Sequence, residues 1–207
     1  MYQVEYSKQS IRTLRRMPSD MAMLIRRKVE MVAQDPVGAQ GVKKLVGRDG
    51  YRLRVGDWRV LYLLDGQRLR VLVMESGPRG RYLSMNVQTI DRDGKPEYVV
   101  LAWADYQALL AAAEDAIDGA LLDASRKKLA AGEDETVPAA VVDALLAGAN
   151  PVKVWREYRG LTQENLAAMA GISKAYLCQI ETGKREGAIK TLRSLAAALG
   201  VTVDDLE

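Results

Sequence analysis

The 207 residues carry 30 Lys and Arg against 27 Asp and Glu, a formal net charge of +3, with one cysteine and no histidine. Without histidine the commonest general base and zinc ligand are missing, and Cys178 alone can neither close an internal disulfide nor complete a structural metal site, so no metal and no cofactor is expected. No apolar run approaches the length of a membrane span, and the opening residues Met1 to Val4 read as a strand rather than a signal peptide, which predicts a cytoplasmic protein without a membrane partner.

The modest total conceals a division. Residues 1–83 hold 17 cations against 8 acids, residues 84–150 hold 5 against 12, and residues 151–207 hold 8 against 7. The acidic middle is expected to complement the basic front electrostatically.

Tyr2, Val4 and Tyr6 alternate with polar residues, the pattern of a short half-buried strand. Ser7 can cap a helix through Met17 with Ile11 and Leu14 inward and Lys8, Arg12, Arg15 and Arg16 outward. Pro18 ends it, and a second helix from Ser19 to about Gln34 turns Met21, Leu24, Ile25, Val29 and Val32 inward. Asp35 and Pro36 stop that helix, and a Gly-containing loop leads to Gly50. Strands follow at about 51–55, 59–65 and 68–76, joined at Gly56-Asp57 and Asp65-Gly66 into an antiparallel meander. Alternation places Tyr51, Leu53 and Val55 on one face and Arg52 and Arg54 on the other, so one face packs on the helices while the other displays cations.

This β-α-α-β-β-β order, with YRLRVGDWRVLYLL and ESGPRGRYL, resembles the RelE/ParE toxin superfamily over residues 1–83. The resemblance implies either a ribosome-dependent ribonuclease acting on messenger RNA, as in RelE-like members, or a poison of DNA gyrase, as in ParE-like members. By position Arg52 and Arg54 match the family's basic pair, Arg59 the cation on the next strand and Arg79 the arginine after the last strand. Tyr82 stands near the family's terminal catalytic tyrosine. The chemistry is consistent with that assignment: clustered guanidiniums can stabilise a pentacoordinate phosphate through bidentate hydrogen bonds. Arginine stays protonated near neutral pH and is a poor general base, which leaves Tyr82, or a Tyr51 whose pKa neighbouring arginines depress, as the group for proton transfer.

In the middle, Asn86 to Ile90 and Tyr98 to Leu101 read as strands around an Asp93-Gly94 turn. An apolar-striped helix is predicted from Trp103 to Ala116 through Tyr106, Leu109, Leu110 and Ala113, with further helices at about 119–131 and 138–147. DGKPEYVVLAWADYQALL partly resembles the strand-plus-helix part of Phd/YefM-type antitoxins. Asn150 and Pro151 mark the next boundary.

From Leu161 to Arg185 the chain reads LTQENLAAMAGISKAYLCQIETGKR. Thr162 can cap a first helix, Gly171 supplies a sharp bend, and Ser173 caps a second helix that buries Leu177 and Ile180. Helix, short turn and helix form the unit that lays its second helix in a DNA major groove. Gln163 at the first helix N-terminus would meet a phosphate, Lys174, Tyr176 and Gln179 would face base edges, and Lys184 and Arg185 would hold the next phosphate. Residues 152–207 resemble the lambda-repressor-like (XRE) helix-turn-helix domain, which implies a five-helix DNA-binding domain that commonly acts as a dimer.

The expected fold class is therefore α+β: a RelE/ParE-like toxin domain at 1–83, an acidic segment for dimerisation or toxin neutralisation at 84–150, and an all-α helix-turn-helix domain at 151–207. The expected function is a single-chain toxin-antitoxin protein, an autorepressor on operator DNA that carries an inhibited messenger-RNA endoribonuclease, with ribosome and mRNA as further partners and a homodimer as the working form. Cleavage near Ser84 would release the front domain. Two alternatives stay open: a transcription regulator whose front domain is inactive, or a gyrase poison held by its own antitoxin.

Overall fold

The computed structural model describes residues 1–45, 49–56, 58–75 and 88–206. Arg79 and Tyr82 lie outside the described residues, as do Asn86 and the end of the strand predicted through Ser76. No described helix is long and apolar enough to cross a membrane.

Strand β1 (Gln3–Ser7) runs straight into helix α1 (Lys8–Arg16), because the Ser7 hydroxyl accepts from the Ser10 backbone N–H at 3.1 Å. Ser10 is buried and ties the helix to the sheet, donating to the Val71 carbonyl at 3.0 Å and accepting from the Val73 N–H at 2.8 Å. Helix α2 (Ser19–Gln34) buries Ala22, Ile25, Val29 and Val32. Leu24, expected inward, is exposed. One residue is about 100° around a helix, which carries Leu24 off the stripe that Ile25 defines.

Strands β2 (Val42–Lys44), β3 (Tyr51–Val55), β4 (Trp58–Asp65) and β5 (Arg68–Glu75) are antiparallel neighbours, with β1 parallel to β5. The meander is as expected, whereas part of the expected loop before Gly50 forms β2, a short, charged edge strand whose Val42 pairs with Leu53. A further strand, β8 (Thr136–Pro138), adds antiparallel to β1 and gives the order β2-β3-β4-β5-β1-β8. The sheet thus draws residues from both sides of position 83.

One sheet face, with Tyr6, Leu53, Val60, Tyr62, Leu69 and Val73, packs on α1 and α2 in a core that continues into the C-terminal helices. Tyr51 and Tyr62 stack across β3 and β4 with ring centroids 5.2 Å apart.

The other face is covered by helix α3 (Trp103–Ala130), which follows a hairpin of β6 (Gln88–Arg92) and β7 (Lys95–Val100). Asp93 and Gly94 both have positive φ, at 53° and 73°, as the tight hairpin turn requires. Two helices were predicted where one runs unbroken through Gly119. Glycine costs a helix about 1 kcal/mol, and Gly119 is buried in the middle of a long packed helix that offsets it. At Gly50 a Cβ would come within 2.4 Å of Leu122 on α3, so the loop's close approach to the helix needs a glycine there.

Helix α4 (Ala139–Leu146) leads to α5 (Pro151–Tyr158), whose start is fixed by Asn150: its Oδ1 accepts from the Lys153 N–H at 3.2 Å, with Pro151 at the first position. Helices α6 (Gln163–Ala170), α7 (Lys174–Glu181) and α8 (Ile189–Leu199) follow, then a 3-10 turn, Val203–Asp205.

This last turn docks on α1. Asp205 accepts from Arg12 through Nε at 2.6 Å and Nη2 at 2.9 Å, while Arg15 donates to the Asp205 carbonyl at 3.0 Å. Lys8 donates to the Gly200 carbonyl at 2.8 Å and pairs with Glu135 at 2.9 Å, and Glu135 also receives the Arg159 guanidinium. Burial alone would raise the Asp205 carboxyl, but the Arg12 and Thr202 hydrogen bonds outweigh it and hold the group below the usual carboxylate range. Glu135 is held low in the same way by Arg159 and Lys8, against its own burial.

A depressed carboxylate stabilises above its ordinary pKa, and that contribution is lost as pH falls through the depressed value. The thermal unfolding midpoint should therefore fall as pH drops below about 4. Asp205→Asn with Glu135→Gln should start lower at pH 7 and show a shallower acid loss; parallel profiles for the two proteins would refute this account.

Candidate DNA interface and a closed arginine cluster

The C-terminal helices place their polar side chains by caps and by one buried bridge. The Thr162 hydroxyl accepts from the Asn165 N–H at 3.1 Å and the Ser173 hydroxyl from the Tyr176 N–H at 3.2 Å, so both predicted caps start their helices. Between them Gly171 ends α6 in the left-handed conformation at φ 67°. Leu177 and Ile180 are buried, and Lys174, Ala175 and Gln179 face solvent along α7. Tyr176 is half-buried, with the Arg185 guanidinium 5.9 Å from its ring centroid. Lys184 and Arg185 are exposed just beyond Gly183. Lys174 reaches back to Glu164 at 3.5 Å, both side chains in water.

Gln163 is turned inward. Its amide donates to Glu181 Oε2 at 2.8 Å, and Glu181 also receives Arg156 through two bonds of 2.6 and 3.1 Å. Sequence reasoning gave Arg156 no role, yet this bridge joins α5, α6 and α7 and sets the angle at which α7 is presented. The signal available was a basic residue and an acidic one at otherwise buried helix positions. Trp155, fully buried, packs beside it and donates its indole N–H to the Asp205 carbonyl at 3.3 Å.

Residues 152–206 match the helix-turn-helix family profile. Over 57 residues the chain is 46% identical to the uncharacterised HTH-type transcriptional regulator y4dJ of Sinorhizobium fredii, covering 28% of this chain and 73% of that one. The chain belongs to the helix-turn-helix family. The same domain is 40% identical over 52 residues to the immunity repressor protein of Bacillus phage phi105, spanning 25% of this chain and 36% of the repressor. Among solved structures, the restriction-modification controller protein C.AhdI from Aeromonas hydrophila is 29% identical, with 28% of this chain and 89% of that one covered and a TM-score of 0.28.

Away from the helix-turn-helix domain lies a second constellation. Arg52 and Arg59 sit on facing strands of the sheet face that α3 covers, and they are 4% and 3% exposed. Asp118, with no exposed surface, accepts from Arg52 Nη1 at 2.8 Å and from Arg59 Nη1 at 3.0 Å. Asp115 lies 3.0 Å from Arg52 and 3.5 Å from Lys43, and Glu114 lies 3.5 Å from Arg59 and contacts Arg54. Arg52, Arg54 and Arg59 are thus brought together, under the carboxylates of α3. The helix carries its acids inward; of the stripe expected to face in, Ala113 is buried and Leu109 and Leu110 are half-buried, whereas Tyr106 is exposed because much of the surface beneath is cationic.

Removing one partner from a buried ion cluster leaves charges without counterions, typically at a cost of about 3–5 kcal/mol. Asp118→Asn should destabilise the protein by that order in urea unfolding, whereas Asp105→Asn on the same helix, outside the cluster, should change it by less than about 0.5 kcal/mol. Equal effects would show that Asp118 is not a keystone.

Proposed function

We propose that this chain is a sequence-specific DNA-binding transcription regulator, repressor-like in action, that works through the helix-turn-helix domain. The supporting observation is the exposed edge of α7: Lys174 and Gln179 project from a helix start capped by Ser173, with Lys184 and Arg185 following where a phosphate would pass. Relatives named as a transcriptional regulator and an immunity repressor support the same reading. Gln179 suits adenine and Lys174 guanine, with Tyr176 and Ser173 at the same edge. With its side chain engaged by Glu181, Gln163 contributes a phosphate contact through the backbone at the α6 N-terminus.

Binding to an operator selected from random duplexes, followed by fluorescence anisotropy, tests these roles. Gln179→Ala should lose about 1–3 kcal/mol on the selected site and little on random DNA, and Lys184→Ala should weaken both similarly and reduce the salt dependence. Equal losses on both duplexes for both variants would overturn the assignment.

The front domain carries a second reading, favoured by the convergence of Arg52, Arg54 and Arg59. In it residues 1–83 are RelE/ParE-like, residues 84–150 neutralise them, and residues 151–207 read DNA. The arginines hold a phosphate once α3 lifts, and Arg79 and Tyr82 complete the site. Because β8, at Thr136–Pro138, pairs with β1, the intact chain is the right test object. A chain opened by Glu114→Gln, Asp115→Asn and Asp118→Asn should arrest growth with degraded messenger RNA, or with inhibited supercoiling if the target is gyrase. A folded opened chain that does neither would leave the front domain inactive and the protein a regulator alone.

A further inference from the structure

Beyond the arginine cluster, a cleft of about 750 Å³ opens between the second half of α3 and the sheet. Pockets that take a small molecule run from roughly 300 to 1,000 Å³, so the space is of that class. Leu122, Ser125, Arg126 and Leu129, spaced along one face of the helix, form one wall. Leu63 and Arg70, cross-strand partners on β4 and β5, form the other with Leu72. Neither Arg52, Arg54 and Arg59 nor the acids that close them line it. The leucines make the cleft apolar, and its charges give it a sign. Asp65 is taken by Arg70 Nη2 at 2.9 Å, Asp134 Oδ1 accepts from the Glu135 N–H at 2.8 Å, and Glu135 holds Lys8 and Arg159. Arg70 Nε is buried, stands 3.8 Å from Glu5 and has no hydrogen-bond partner among the described residues. A buried donor left unmet on a permanent cation is costly, and an anion relieves it. Among the exposed lining groups Lys44 and Arg126 outnumber Asp49. What stays unsatisfied in the cleft is therefore cationic, beside a largely leucine surface.

We propose that this cleft binds a small organic acid, a carboxylate carried on an apolar body, and that its occupancy is transmitted to the helix-turn-helix domain through Glu135. The ligand carboxylate meets the guanidiniums of Arg70 and Arg126, whose planar donors suit it, and the body lies on the leucines of both walls. Glu135 lines the same cleft and is the carboxylate that Lys8 on α1 and Arg159 at the end of α5 share. An added anion beside it repels Glu135 and competes for the same cations, so the ligand acts on the joint between the sheet and the C-terminal domain. The regulatory half of the proposal rests on the DNA reading. The site itself does not.

Isothermal titration of the full chain with octanoate and with cinnamate, each against its neutral alcohol, octanol or cinnamyl alcohol, tests the site without DNA. At least one carboxylate should bind with a Kd below about 100 μM, roughly tenfold or more tighter than its alcohol. Ser125→Trp, which puts an indole into the cleft from a half-buried position, should abolish binding, and Ala124→Trp, the same bulk at the exposed neighbouring position, should leave it intact. Arg70→Gln with Arg126→Gln should cost the carboxylate roughly tenfold and the alcohol little, which keeps the site testable if the indole variant does not fold. Neither carboxylate binding, binding that survives a folded Ser125→Trp chain, or alcohols that bind as well as the acids would overturn the proposal. Anisotropy on the selected operator then reads the coupling. Saturating carboxylate should shift operator affinity about threefold or more, and the operator should shift carboxylate affinity by the same factor. An unchanged operator affinity overturns the link through Glu135, and a chain that takes up the carboxylate but binds no duplex supports the site while removing the DNA reader.

Discussion

Asp118 sits with no exposed surface between two guanidiniums, and the arrangement of the whole front half follows from that. A carboxylate removed from water costs several kcal/mol, and only close, well-directed countercharges recover it. Arg52 and Arg59 face the same demand from the sheet side. Glu114 and Asp118 are one helical turn apart, with Asp115 beside them, so the three acids share one face of α3. Rolling the helix by one residue would carry Asp118 about 100° away and lay apolar side chains on bare guanidiniums. The ion cluster therefore fixes the rotation and register of α3 more sharply than its small apolar patch of Leu45, Leu61, Leu72 and Leu122 does. Trp103, Tyr106 and Ile117 are left exposed as a consequence.

A second set of charges anchors the helix-turn-helix domain. Lys8, Arg12, Arg15 and Arg16 look from the sequence like the solvated face of an amphipathic helix, and in the structure each meets the C-terminal turn or its neighbours. Glu135, beside β8, is held by Lys8 from α1 and by Arg159 from the end of α5, so one carboxylate links the sheet, its first helix and the C-terminal domain. The hydrophobic core runs through the same junction, from Val137 and Val142 to Trp155 and Leu166. Position of the DNA-reading helices relative to the sheet is thus set by packing and charge together rather than by a linker.

Much of this was legible in the residues. Caps at Ser7, Thr162 and Ser173, the Asp93-Gly94 turn and the alternation in β3 are local signals, and local signals appear where they were read. The meander of β3 to β5 follows from turn dipeptides in the same way. What could not be read is long-range. The three-residue strands β2 and β8 owe their existence to neighbours in the sheet, and β1 pairs in parallel with a strand more than 60 residues away. The two helices expected at Trp103 to Ala116 and from about 119 are one, because packing along the sheet holds the helix through Gly119. Of the stripe expected to face inward Ala113 is buried but Tyr106 is exposed, because periodicity assumes an apolar surface beneath and much of the surface beneath is arginine. In the candidate site, the exposed residues of α7 were legible, while Arg156 and Glu181 were not singled out because their roles lie in each other.

The chain therefore holds two basic surfaces in different states. The cations at the edge of α7 and after Gly183 are open to solvent, so an approaching phosphate displaces only water and small ions there. The cations of β3 and β4 are already matched by carboxylates on the same chain. A polyanion competing for Arg52 must displace acids whose effective concentration is raised by covalent attachment, and it must also expose the apolar patch under Leu122. On this argument the two surfaces do not compete for one nucleic acid: the C-terminal one is available at all times, and the front one only when α3 leaves the sheet.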